Sequence, residues 1–143
     1  MIITILSLIL FSIFIALGGF HFYWLFGGVW GLKKVIPSKD NKASTLTIPK
    51  ISTLLVGLVL VLFGLMYLMK SGLINVQVLY WVTNYGYWVV PSIFILRAIG
   101  DFNYVGFFKK IKNTEFAKMD SKIFSPLCLI IGIIGIVIQF IGK

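Results

Sequence analysis

The run ISTLLVGLVLVLFGLMYLM, Ile51–Met69, lies between Lys50 and Lys70 and contains no charged residue. A helix of about 20 residues spans ~30 Å, the thickness of a bilayer's hydrocarbon core. Three further runs match it. Residues 1–32 carry no Asp, Glu, Lys or Arg, Ser71–Leu96 is uncharged, and so is Ile123–Gly142. Barrel strands would be shorter and would alternate apolar with polar residues, so the runs read as helices. The first run lacks a basic start and a small-x-small cleavage site, and it is expected to be a retained helix.

Composition agrees. The chain has 143 residues, 59% hydrophobic and 12% charged, with a mean hydropathy of +1.03. A soluble domain carries about a quarter charged residues. The expected fold is therefore all-α: an integral membrane four-helix bundle, one transmembrane domain over residues 1–143. The helices are expected at about 2–30, 50–69, 78–99 and 125–141, with basic loops at about 33–49 and 101–123. Thr47-Ile48-Pro49 and Ser125-Pro126 supply helix-start signals for the second and fourth.

Charge orients the bundle. The first long loop holds Lys33, Lys34, Lys39, Lys42 and Lys50, and the second holds Arg97, Lys109, Lys110, Lys112, Lys118 and Lys122. Only Lys70 and Lys143 lie on the other face. The positive-inside rule makes both loops cytoplasmic and places both termini outside. The net charge of +9 then suits anionic lipid headgroups. Nucleic acid is not expected, because no interleaved aromatic–basic pattern or zinc spacing is present. Within the second loop Phe102, Val105, Phe108 and Ile111 recur at three-residue steps beside Lys109, Lys110 and Lys112. That spacing predicts a short amphipathic interfacial helix between helices 3 and 4.

Arg97 is the only arginine, against twelve lysines, and Asp101 follows one turn later. The two could pair directly across that turn, as a fold-locking pair or as one wall of a site. On helix 1, Leu17, His21, Trp24 and Gly28 share a face that should turn toward other helices, since lipid would leave the imidazole unpaired. By topology the polar residues His21, Ser52, Thr53, Arg97, Asp101 and Ser125 all end on the cytoplasmic side. The candidate ligand-binding set is His21, Trp24, Arg97, Asp101, Tyr104 and Lys109, with an arginine fork suited to a phosphate or carboxylate. No cofactor or metal is expected: His21 is the lone histidine and Cys128 the lone cysteine.

Packing should use small residues. Gly27 and Gly31, Gly57 and Gly64, and Cys128, Gly132 and Gly135 are spaced for close approach. Pro91 interrupts helix 3 and removes the hydrogen bond to the Tyr87 carbonyl. A weak internal echo, Gly31-Leu32-Lys33-Lys34 before Pro49 and Gly106 to Lys110 before Pro126, reads either as a two-plus-two duplication or as ordinary loop composition.

Several phrases together carry a resemblance. They are His21-Phe22-Tyr23-Trp24 with Gly27-Gly28-Val29-Trp30-Gly31, the stretch Arg97 to Lys109, and Phe116-Ala117 with Asp120 and Ser125-Pro126-Leu127-Cys128. The chain resembles a bacterial family of small four-helix membrane proteins, domain of unknown function 3995, over essentially its whole length. The resemblance implies a multi-pass protein of the bacterial cell membrane and brings no assigned activity. Three functions stay open: a binding protein for a lipid headgroup or small amphiphile in a cytoplasmic-leaflet pocket, an intramembrane enzyme on a lipid-like substrate with His21 or Asp101 as acid/base, and a transporter or channel subunit acting as a homo-oligomer. The enzyme reading is the less favoured, because no nucleophile–base pair, metal set or phosphate loop is legible.

Overall fold

Three of the four apolar runs are helical over most of their length, and the third in chain order, Ser71–Leu96, is non-helical at 71–79. The computed structural model describes residues 1–28, 30, 50–100, 102 and 105–142, and of Glu115 only the backbone. Helix α1 is Ile2–Leu25 and α2 is Lys50–Lys70. A π turn, Val82–Gly86, leads into α3, Tyr87–Ile99. A short α4, Glu115–Met119, passes through a second π turn, Asp120–Phe124, into α5, Ser125–Ile141. The fold is all-α, with no strand among the described residues. Three helical stretches are long and apolar enough to cross a membrane: Ile2–Leu25, Lys50–Lys70 and Phe116–Ile141.

Two helix pairs make up the body, α1 with α2 and α3 with α5, and α1 also touches α5. The first pair is antiparallel, since Gly57 meets His21 and Phe22 whereas Gly64 meets Phe14 and Ile15. A Cβ on Gly64 would lie 3.3 Å from the Phe14 Cβ, so glycine permits the approach. In the second pair a Cβ on Gly132 would lie 2.4 Å from Ile95 Cγ1. Small residues thus permit both close crossings. Phe14 joins the pairs: it is fully buried, and its ring lies 5.9 Å from Tyr67 on α2 and 5.3 Å from Phe94 on α3. Aromatic contacts of this kind add about 0.5–1.5 kcal/mol each beyond simple burial.

Several expected boundaries shift. Helix 1 stops at Leu25 instead of about 30, because Gly27 turns left-handed at φ +99°. Trp30 then folds back, its carbonyl accepting from Trp24 Nε1 at 2.9 Å. Gly31, the partner expected for Gly27, lies outside the described residues. Helix 3 is not regular over 78–99; its α-helical part starts at Tyr87, behind the π turn. Helix 4 begins at Glu115, ten residues before its expected start at 125, capped by the Thr114 hydroxyl, which accepts from the Ala117 amide at 3.1 Å. Hydroxyl caps at this position satisfy an otherwise orphaned amide.

The amphipathic helix expected across Phe102–Ile111 does not form among the described residues. The described residues from Phe102 to Asn113 are non-helical. The reason is backbone geometry: Gly100, Phe102 and Gly106 all take positive φ, at 87°, 67° and 89°, which no right-handed helix accommodates. The chain instead doubles back on the end of α3, and the Phe107 amide donates to the Ala98 carbonyl at 2.8 Å.

Candidate functional site

Asp120 is the centre of the polar chemistry, and it is fully buried. The π turn that begins there explains its partners. Residues five apart on an α-helix point away from each other. The wider turn, closed by the Ser125 amide on the Asp120 carbonyl, brings Ser125 round to the same side. Ser125 Oγ then donates to Asp120 Oδ2 at 3.0 Å. Pro126 follows directly, without an amide hydrogen for a regular α-helical bond, which favours an irregular turn just before it.

Two other segments converge on the same carboxylate. From α3, Arg97 Nη2 donates to Oδ1 at 2.8 Å. From the doubled-back stretch, the Gly106 amide donates to Oδ2 at 2.7 Å, and Lys109 Nζ approaches Oδ2 at 3.2 Å. Gly106 makes this possible: its left-handed φ aims the amide inward, and a Cβ there would lie 2.3 Å from the Ile99 carbonyl oxygen. Charge-assisted bonds of this kind are about twice as strong as neutral ones.

Lys109 is spent on the interior. Its side chain is 1% exposed. Besides Asp120, it donates to the Gly106 carbonyl at 3.0 Å and to the Ser121 hydroxyl. These are three acceptors for the three hydrogens of an ammonium. The side chain therefore cross-links the stretch that returns from α3 to the π turn before α5.

Arg97 differs. Its side chain is 31% exposed overall, but its Nη1 is buried and has no hydrogen-bond partner among the described residues. Among the described residues two cations thus face one carboxylate.

The sequence candidates divide accordingly. Arg97 and Lys109 come together through Asp120. His21 and Trp24 form a separate group on α1. His21 Nδ1 donates to the Leu17 carbonyl at 2.8 Å, its ring lies edge-on to Trp24 at 5.4 Å, and its Cβ faces Gly57 of α2. Among the described residues no polar contact joins this group to Arg97. Asp101 and Tyr104 lie outside the described residues, so the expected Arg97–Asp101 pair does too; the carboxylate seen on Arg97 is Asp120. A groove of about 460 Å³ on α1 is lined by Ala16, Gly19, Phe20, Tyr23 and Trp30, and contains none of the six candidates.

Sequence reading missed Asp120 as the hub. It lies 23 residues beyond Arg97 in the chain and sits between Lys118 and Lys122, where it reads as a solvated loop charge. Its rarity was the available signal, since the chain has only four acidic residues.

No curated protein and no solved structure matches the chain. Residues 14–135, which include Arg97, Lys109, Asp120 and Ser125, match the family described as "Protein of unknown function (DUF3995)", and the chain belongs to that family.

Proposed function

We propose that this chain is an integral protein of the bacterial cell membrane. Four helices cross the bilayer as a bundle, the basic loops are cytoplasmic and both termini lie outside. Its Arg97 end holds an anionic lipid headgroup in the cytoplasmic leaflet. One observation carries the headgroup reading: among the described residues a buried carboxylate answers two cations, and one of them, Arg97, keeps 31% of its side chain exposed. A buried charge cluster favours neutrality, because an uncompensated ion in low dielectric is costly. A phosphodiester on the exposed part of Arg97 would add negative charge beside these two cations, and a guanidinium fork matches its oxygens. Lys109 is withdrawn from the ligand set by its buried position. His21 and Trp24 are not needed by this reading.

Native mass spectrometry after solubilisation with phosphatidylglycerol tests it. Wild type should retain the anionic lipid over phosphatidylcholine, and Arg97→Ala should lose that preference. The variant leaves Lys109 and Asp120 as a neutral pair, so the fold should survive. An Asp101→Asn variant should retain lipid at least as well as wild type. Equal retention by wild type and Arg97→Ala would refute the assignment.

A further inference from the structure

The doubled-back stretch exposes three aromatic rings that the network around Asp120 does not use. Phe102, Phe107 and Phe108 are all exposed, Phe108 at 64%. Phe102 and Phe108 share a patch, with ring centroids 6.4 Å apart. Their level along the bundle is set by the backbone. The Phe107 amide is bonded to the Ala98 carbonyl, so this stretch lies beside the last turn of α3 instead of beyond it. Leu96, in that same turn, is 66% exposed.

Lys109 fixes which side chains face out. It is anchored inward on Asp120, Ser121 and Gly106, and its neighbours Phe108 and Lys110 are both exposed. Lys112 is exposed as well. An apolar aromatic patch rimmed by lysines, level with a helix end, has the chemistry of an interfacial anchor: rings reach the acyl boundary and ammonium groups reach phosphates.

We propose that Phe102 and the stretch Gly106–Lys112 form a wedge seated in the headgroup boundary of the leaflet beside Arg97, with Phe102, Phe107 and Phe108 in the upper acyl region and Lys110 and Lys112 on anionic phosphates. The wedge rests on the membrane-spanning reading above, but not on a headgroup at Arg97. Fixed lipid contact is obtained here without a helix, because the buried Lys109 and Asp120 hold the backbone in place of helical hydrogen bonds.

Site-directed spin labelling of the full chain in phosphatidylglycerol vesicles tests this. In a Cys128→Ala background, one label goes at Phe108→Cys and a control label at Leu58→Cys, an exposed position within α2. The expected result is preferential collision with oxygen over a water-soluble nickel complex at both sites, less marked at 108 than at 58. Adding Lys110→Gln and Lys112→Gln should move the 108 label toward water. A lipid reading at 58 with an aqueous reading at 108 overturns the wedge alone. An aqueous reading at both sites overturns the spanning reading and the wedge with it. An unchanged 108 label in the lysine variant overturns the phosphate contacts.

Discussion

Replacing Asp120 with asparagine should be the most damaging single change at this site, because of what it leaves behind. Asparagine keeps one acceptor oxygen but no charge. Lys109, 1% exposed, would then stay buried as an ammonium with no counter-ion, and Arg97 would lose its carboxylate. Breaking a buried pair in this way costs about 3–5 kcal/mol. Arg97→Ala removes one charge-assisted bond from a side chain 31% exposed, and it leaves a neutral Lys109–Asp120 pair. Discounted for solvent, that loss is about 1 kcal/mol. For a chain of this size ~1 kcal/mol shifts the midpoint by ~3–4 °C. Asp120→Asn should therefore lower the unfolding midpoint in detergent by ~10–15 °C and Arg97→Ala by ~3–4 °C. The double variant Asp120→Asn with Lys109→Met should recover part of the loss, since it deletes the stranded ammonium. Circular dichroism melts at one fixed scan rate give the ordering even where unfolding is irreversible. Equal midpoints for Asp120→Asn and Arg97→Ala would refute the buried-charge account, and so would a double variant less stable than Asp120→Asn.

Two further outcomes follow from the backbone and the core. Gly106→Ala should lower the melting midpoint by an amount approaching that of Asp120→Asn, since its φ is +89° and its new Cβ would press on the Ile99 carbonyl; a neutral result would mean that the return stretch is not built on that turn. Tyr67→Phe should raise the midpoint slightly, because the Tyr67 hydroxyl is buried without a hydrogen-bond partner among the described residues, and an unpaired hydroxyl costs about 1–3 kcal/mol on the protein mutational scale; a fall in midpoint would count against the orphaned hydroxyl.

The helical runs were legible because composition alone decides them. Ile51–Met69 between two lysines can satisfy its backbone in an apolar surrounding in one way, and α2 spans Lys50–Lys70 as that reasoning predicts. The close-approach roles of Gly57, Gly64, Gly132 and Gly135 were legible too, because their spacing matches a helical face. The stretch after α3 was misread. Phe102, Val105, Phe108 and Ile111 have helical spacing, but Gly100 and Gly106 take left-handed conformations that periodicity does not register. Likewise Thr114, eleven residues before Ser125, proved to be the cap of the final helical stretch.

By itself, then, the sequence determined the all-α class, the apolar stretches and the uneven distribution of lysine, which are local or summed properties of the chain. That Asp120 meets Arg97, 23 residues away in the chain, was decided by tertiary structure alone. That pairing depends on a π turn bringing Ser125 to the Asp120 side, a glycine turn aiming an amide inward, and a lysine folding into the interior. The first two have local causes in Pro126 and Gly106, but their meeting at one carboxylate joins segments far apart in the chain, and no spacing along the chain records it.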